Sequence, residues 1–297
     1  MTAKIIDGLA IARQVRVGIA ARADALRARG VTPALTMIRV GDDPASGVYV
    51  RNKVRACADV GITSDVLRLP ADVSEEVLLQ RIRRLNENPS VHGILVQLPL
   101  PAHIAPRHVL ETISVAKDVD GFHLYNVGGL VIGETVFPPC TPYGVQKILE
   151  HEGIELEGKN VTVVGASNIV GKPLALMLMQ REATVAICHA KTRDLAQYTI
   201  LADILVVAAG KPNLIVAPMV RHGAVVIDVG INFLPNGKLV GDVDFEGVKE
   251  KASCITPVPG GVGPMTVTML LENTVGAAER AALALPPVDM RARPVPA

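Results

Sequence analysis

Four short, mostly apolar runs at residues 161–164, 184–187, 204–208 and 224–229 recur with helix-patterned stretches at 173–181 and 193–201 among them. Strands of that kind are covered on both faces, and they belong to parallel sheets packed between helices. A shorter series precedes them, with extended segments at 34–40, 65–69 and 93–98 separated by helical ones at 46–60 and 74–86. Between the two series, residues 116–142 hold Lys117-Asp118-Val119-Asp120-Gly121, then Gly128, Gly129, Gly133, Pro138, Pro139 and Pro142, and read as a turn-rich crossing. The expected fold is therefore α/β in two domains, the second with the outline of a dinucleotide-binding domain.

Length and composition narrow the field. A chain of 297 residues holds two domains of ordinary size, and 49% hydrophobic residues suffice for a substantial core. Aromatic residues are only 3%, which suits helices on a buried parallel sheet better than a β-sandwich. Thirty Lys and Arg against 29 Asp and Glu leave no broad basic footprint for a nucleic acid, so small ligands are the expected partners. Mean hydropathy is +0.35, but the longest uncharged apolar stretch, 255–271, is interrupted by Pro257, Pro259, Pro264 and three glycines, so no membrane-spanning helix is expected. Cys57, Cys140, Cys188 and Cys254 are too scattered for a disulfide framework or a zinc site, and no metal is expected. Residues 1–8 lack a cationic segment leading into a long apolar core and read as a cytoplasmic start. Asp7 is placed to cap a helix over 7–29 that Gly30 ends, and a last helix is expected from 266 to about 283.

The helix over 46–60 carries the most informative pattern. Steps of about 100° put Arg51, Asn52, Arg55 and Asp59 on one face and Tyr49, Val50, Val54, Ala56, Cys57 and Val60 on the other. Lys53 falls inside the apolar arc, one turn after Tyr49. A mid-helix Lys usually snorkels to solvent, but an inward one beside apolar neighbours is a candidate general base. In the strand at 93–98 the one polar side chain is Gln97, close to the carboxyl end, where ligands of parallel sheets sit; it is either a ligand-facing group or a structural amide. Asp118 and Asp120 lack the further acids of a calcium loop, which leaves a plain Asx-turn or recognition of a planar ligand by a fixed carboxylate.

Gly165-Ala166-Ser167 follows a β-branched strand, and Gly171-Lys172-Pro173 opens the next helix. A strand, a tight turn and a helix N-terminus make an anion site, because free N–H groups and the helix dipole point at one spot. The next strand ends in Ile187-Cys188-His189 without the acid that a free ribose hydroxyl calls for, and Lys191, Thr192 and Arg193 follow. NADP is therefore expected in preference to NAD, with Asp194 as the counter-indication. Asp228-Val229-Gly230-Ile231 and the Pro/Gly segment 257–264 are either tight turns or places where backbone approaches a ligand.

Taken together, Tyr49-Val50-Arg51-Asn52-Lys53, Val60-Gly61-Ile62, His92-Gly93-Ile94-Leu95-Val96-Gln97-Leu98-Pro99, Lys117-Asp118-Val119-Asp120-Gly121-Phe122, Pro139-Cys140-Thr141-Pro142 and Ile255-Thr256-Pro257-Val258-Pro259-Gly260-Gly261-Val262-Gly263-Pro264-Met265-Thr266 resemble the bifunctional methylenetetrahydrofolate dehydrogenase/methenyltetrahydrofolate cyclohydrolase family. The likeness runs from about residue 4 to 283. It implies a homodimer whose subunits hold folate in a cleft between a catalytic domain at 1–139, completed by a helix at 266–285, and a Rossmann-like NADP-binding domain at 140–265, with a loose tail at 286–297. It implies Lys53 as the catalytic Lys of the cyclohydrolase step, Gln97 as its partner, Tyr49 as the ring stacked on folate, and Asp120 as the carboxylate for the pterin edge. Pro259 and Gly260 are implied substrate contacts. Gly165, Ala166, Ser167, Ala190, Lys191, Thr192 and Ile231 are implied cofactor contacts, the last at the nicotinamide. Many members have Arg and Ser where this chain has Ala166 and Ala190, so Lys191, Thr192 and Arg193 are left to serve a 2′-phosphate.

The activity that the resemblance implies is NADP-dependent oxidation of 5,10-methylenetetrahydrofolate to the methenyl form and its hydrolysis to 10-formyltetrahydrofolate, within the one-carbon metabolism that feeds purine biosynthesis. Nitrogen lone pairs stabilise the amidinium left by hydride loss, so that step has no obligatory base, whereas water addition requires proton transfer. The alternatives are a dehydrogenase without cyclohydrolase activity and a folate- or nucleotide-binding regulator without turnover; the presence of both Lys53 and Gln97 speaks against each.

Overall fold

The computed structural model describes residues 2–283, which fall into two compact units, one of residues 2–18 and 120–270, the other of residues 19–119 and 271–283. Strand β1 (Lys4–Ile5) and the start of helix α1 (Gly8–Ala28) belong to the first unit. Asp7 caps α1 by accepting from Ala10 N–H at 2.9 Å, and Gly30 ends it at φ +82°.

The unit of residues 19–119 and 271–283 is built on β2 (Ala34–Val40), α2 (Pro44–Asp59), β3 (Thr63–Leu69), α3 (Glu75–Glu87), β4 (Gly93–Val96) and α4 (Pro106–Thr112). Its three strands are parallel in the order β3-β2-β4. Alternation along the strands points Ile38, Val40, Ile94 and Val96 at Leu78, Leu79 and Ile82 of α3 and Val109 of α4, one buried cluster. Leu35, Met37 and Leu95, equally buried, take the opposite face. Ser74 opens α3 by accepting from Val77 N–H, with Glu75 and Glu76 complementing the helix dipole in the first turn.

The other unit continues with α5 (Leu124–Ile132), α6 (Cys140–His151), β5 (Asn160–Val164), α7 (Gly171–Met179), β6 (Thr184–Cys188), α8 (Ala196–Thr199), β7 (Ile204–Val207), β8 (Val225–Asp228), β9 (Asn232–Phe233), β10 (Leu239–Val240), α9 (Phe245–Lys249), β11 (Cys254–Ile255) and the first part of α10 (Val262–Ala282). Six parallel strands run in the order β1-β11-β8-β7-β5-β6, and β9 and β10 form a small antiparallel pair. Leu205, Val207, Val226 and Ile255 anchor a cluster that α9 covers through Val248.

The α/β architecture agrees with the sequence, and the differences have local causes. The expected crossing at 116–142 contains α5, whose Gly128 and Gly129 read as turn signals; Gly129 is there because a Cβ would lie 2.6 Å from Glu134 O. The sequence reading assigns no strand before 34, yet Lys4 and Ile5 pair with Cys254 and Ile255 in the six-stranded sheet. The units meet in sequence at Val119–Asp120. The last helix begins at Val262, earlier than expected, since Pro264 in its first turn forfeits only an N–H that has no intrahelical partner. The end expected at 285 and the tail at 286–297 lie outside the described residues. Among the described residues no helix is long and apolar enough to cross a membrane.

Candidate active site

Helix α2 keeps the two-sided character read from its sequence: Arg51, Asn52, Arg55 and Asp59 are exposed, Val50, Ala56 and Cys57 are buried, and Tyr49, Lys53 and Val54 are in between. Asp43 starts it by accepting from Ser46 N–H at 2.7 Å. Lys53 Nζ donates to Gln97 Oε1 at 3.1 Å, so α2 covers the face of the sheet that carries Leu35, Met37 and Leu95. Gln97 is locked from three directions. Its backbone N–H extends the β2–β4 ladder to Ile38 O at 2.9 Å, its Nε2 donates to Leu98 O at 2.7 Å, and its Oε1 is thereby turned to the ammonium. An ammonium only donates, which fixes the amide orientation, and the bond uses one of its three hydrogens. Burial pushes the Tyr49 phenol above its usual range and keeps it protonated at neutral pH.

Asp118 is buried and its backbone bridges to Ile94 beside β4. Asp120, half-buried, begins the other unit. Its carbonyl accepts from Cys140 N–H at 3.4 Å, and Gly121, at φ +78°, presses so closely on Pro138 and Pro139 that a Cβ would lie 2.6 Å from Pro139 N. The Pro-Pro-Cys segment thus braces the turn that carries the carboxylate. Gly260 sits at φ +108° after the cis Val258–Pro259 bond. Among the described residues no group of three His, Cys, Asp or Glu side chains is placed to hold a metal ion.

The nucleotide residues expected from sequence all fall at or just beyond the carboxyl ends of β5, β6 and β8. Gly165, at φ +123°, packs so tightly that a Cβ would lie 2.1 Å from Ala208 O, and one on Gly171 would lie 1.8 Å from Gly165 O. That bare backbone cradle fits a dinucleotide phosphate. Ser167 Oγ accepts from Val170 N–H at 3.1 Å and from Gly171 N–H at 3.4 Å, holding the start of α7. After β6, Thr192 Oγ1 accepts from His189 N–H at 3.0 Å and His189 Nδ1 from Lys191 N–H at 3.1 Å, a closed turn that presents Ala190 and Lys191 outward. Asp194 Oδ1 accepts from Ala196 N–H at 3.1 Å, an Asx-turn just ahead of α8. Ile231 follows β8 with 46% of its surface exposed. Lys53 and Gln97 are thus brought into contact with each other, whereas Asp120, Pro259 and Gly260 belong to the unit that carries the nucleotide residues. Sequence reasoning passed over Asp242, buried among loops of that unit, because a lone Gly-Asp-Val-Asp run carries no periodic or spacing signal.

Residues 6–120 match the tetrahydrofolate dehydrogenase/cyclohydrolase catalytic domain, and residues 139–282 match the NAD(P)-binding domain of the same family. The chain is 61% identical over 280 residues to the bifunctional protein FolD of Polaromonas naphthalenivorans, covering 94% of this chain and 100% of that one. A crystal structure of the bifunctional enzyme FolD, methylenetetrahydrofolate dehydrogenase/cyclohydrolase, from Campylobacter jejuni superposes with a TM-score of 0.92 at 52% identity, over 94% of this chain and 99% of that one. FolD of Trypanosoma brucei, solved with NADP cofactor and inhibitor, does so at 0.91 and 40%, over 95% and 99%. With both domains matched in order and relatives aligned over nearly their whole length, the chain belongs to the bifunctional tetrahydrofolate dehydrogenase/cyclohydrolase family.

Proposed function

We propose that in this dehydrogenase/cyclohydrolase the hydrolytic step is carried by Lys53 and Gln97, and that the nicotinamide nucleotide is NADP. The observation behind the first assignment is the 3.1 Å Lys53–Gln97 bond at the end of β4. Water adding to the amidinium carbon of the methenyl substrate must lose a proton, and the amine form of Lys53 takes it at Nζ while Gln97 Oε1 holds Nζ in place. Tyr49, one turn earlier, offers a half-buried ring for stacking, and Asp120 a braced carboxylate for the amino-pyrimidine edge of the pterin; Pro259 and Gly260 supply backbone contact. In this reading residues 1–139 with the last helix form the folate-binding domain and 140–265 the nucleotide domain.

When bound, the nucleotide accepts the hydride. The residues that would hold it are Gly165, Ala166 and Ser167 at its phosphates, Ala190, Lys191 and Thr192 at the ribose, and Ile231 at the nicotinamide. The lack of an acid at the end of β6, with Asp194 Oδ1 drawn into the turn ahead of α8, supports NADP. Absorbance assays with methylenetetrahydrofolate and each nucleotide, then with methenyltetrahydrofolate alone, test both parts. A higher kcat/KM with NADP is expected; a preference for NAD would return Asp194 to the ribose.

A homodimer is part of the same proposal. The edge strand β6 exposes Ile187 (43%), and the stretch from α8 onward exposes Tyr198 (45%), Ile200 (43%) and Leu201 (65%), apolar surface that a second copy would cover. Light scattering on the purified protein is expected to give twice the chain mass, and a monomer at assay concentration would overturn this.

A further inference from the structure

Two carboxylates are buried at the loops that follow β7 and β8: Asp228 is 3% exposed and Asp242 is 0%. Asp242 Oδ2 accepts from the backbone N–H of Ala209 at 2.6 Å and of Gly210 at 2.9 Å, while its Oδ1 accepts from Lys211 N–H and Asn232 Nδ2, both at 2.8 Å. Asp228 Oδ1 accepts from Gly230 N–H at 2.9 Å and from the N–H of Asp242 itself at 3.0 Å, and its Oδ2 from Val243 N–H at 2.9 Å. Six backbone N–H groups and one side-chain amide therefore converge on two acids. Glycines make room for both: a Cβ on Gly230 would lie 2.4 Å from Asp242 Cγ, and one on Gly241 would lie 1.9 Å from Asp228 Oδ2.

Burying two like charges is costly, and an apolar filling would be the simpler way to close a loop cluster. What a carboxylate adds is direction. Its two oxygens draw in N–H groups from segments that cannot pair with one another: the turn after β7, the turn after β8, and the strand-like stretch at 242–243 between them, which bridges to Ile215. The turn after β8 carries Ile231, and that after β7 begins at Ala208, whose carbonyl packs on Gly165. Both turns stand at the carboxyl ends of adjacent strands, where the ligand of a dinucleotide-binding sheet rests.

We propose that Asp228 and Asp242 are positioning residues for hydride transfer, clamping the 209–211 and 230–232 turns into one preset surface for the nicotinamide end of the nucleotide. This rests on the assignment of Ile231 to the nicotinamide. Both carboxylates are buried with their oxygens on N–H groups, so each acts through the backbone it holds, and preorganisation of this kind is felt in kcat because misplacement of about 1 Å costs on the order of 100-fold in rate.

The test uses the full-length protein with Asp242→Asn, which keeps the shape but turns one acceptor into a donor facing N–H groups. Amide hydrogen exchange in 209–211 and 230–243 is expected to rise while α2 and β4 keep their protection. Dehydrogenase kcat should fall by roughly 10- to 100-fold, with NADPH affinity, read by fluorescence titration, changing less than kcat. The cyclohydrolase rate, set by Lys53 and Gln97, should stay within about twofold. Asn232→Ala removes one of Asp242's four donors and covers the case in which the first variant fails to fold; it should move exchange and kcat in the same direction by several-fold. Unchanged exchange with unchanged hydride transfer would overturn the proposal, as would a parallel fall of both activities that tracks the folded fraction. A wild-type protein without hydride transfer on either nucleotide would instead overturn the nicotinamide assignment beneath it.

Discussion

Lys53 with Gln97 in one unit, and Asp228 with Asp242 in the other, are polar pairs gathered at the carboxyl side of parallel strands, yet they are built in opposite ways. The first is half-buried, joined by a single 3.1 Å bond, with ammonium hydrogens to spare. The second is fully buried and saturated by seven donors. A group that moves protons has to keep capacity open toward a ligand, whereas one that fixes a backbone gains by spending all of it. With the roles proposed for them, the contrast separates chemistry from scaffolding within one chain, and each pair makes its own measurable claim.

The largest effect is expected from Lys53→Met, which preserves length and apolar packing on α2 and removes the amine. Methenyltetrahydrofolate hydrolysis should fall by roughly 10² to 10⁴, the range for loss of general acid–base help, while part of the hydride transfer persists because that step needs no proton acceptor. Both activities are measured on one preparation, with circular dichroism as the folding control. Near-normal hydrolysis in a folded variant would make the open pair structural and erase the contrast.

Acid titration probes the saturated pair. Burial pushes the Asp228 carboxyl from 3.8 up to about 6, against the pull of the backbone N–H groups of Asp242, Val243 and Gly230 and with the Asp242 carboxylate adding to the rise. The folded protein therefore holds this proton more tightly than the unfolded chain does. The stability from that excess is fully present below pH 3.8 and is lost as pH rises through about 6. Asp228→Asn lacks the titration. The unfolding free energy of wild type relative to the variant should thus be larger at pH 4 than at pH 7, by on the order of 2 kcal/mol. Urea unfolding at the two pH values reads it; a pH-independent difference would mean that the N–H groups compensate the charge completely.

The open pair was far more legible in the sequence than the saturated one, for a physical reason. Lys53 lies on a helix, where a 3.6-residue period converts sequence into facing, and the inward arc drawn for Tyr49, Lys53 and Ala56 matches their burial. The buried runs that became β2, β5, β7 and β8 were equally plain, whereas the run that became β6, expected to be covered on both faces, is an edge strand with Thr184 and Ile187 exposed. Asp242 draws its donors from residues 31 to 33 positions earlier and from Asn232, and no local period records a contact of that kind. The two-residue strands β1, β9, β10 and β11 are too short to alternate, and α5 was masked because Gly128 and Gly129 read as turn residues while serving close backbone approach at Gly129. The amide orientation of Gln97 was equally invisible, since it follows from the Leu98 carbonyl and from Lys53 on another element.

Asp120→Ala gives the smallest effect and sharpens the comparison by asking on which side a third acid falls. Its backbone is braced by Cys140 and by the packing of Gly121 on Pro138 and Pro139, as scaffolding residues are, but its carboxylate is only half-buried, as those of ligand-facing groups are. If the carboxylate receives the amino-pyrimidine edge, its loss leaves desolvated donors on the substrate and weakens binding by about 1 to 3 kcal/mol. The folate KM should then rise in both reactions alike, with the NADP dissociation constant unchanged because the 165–167 turn is untouched. Braced backbone keeps the fold intact, so thermal stability should move little. An unchanged folate KM accompanied by lowered stability would place Asp120 with Asp228 and Asp242 as a residue that shapes the chain rather than one that meets the substrate.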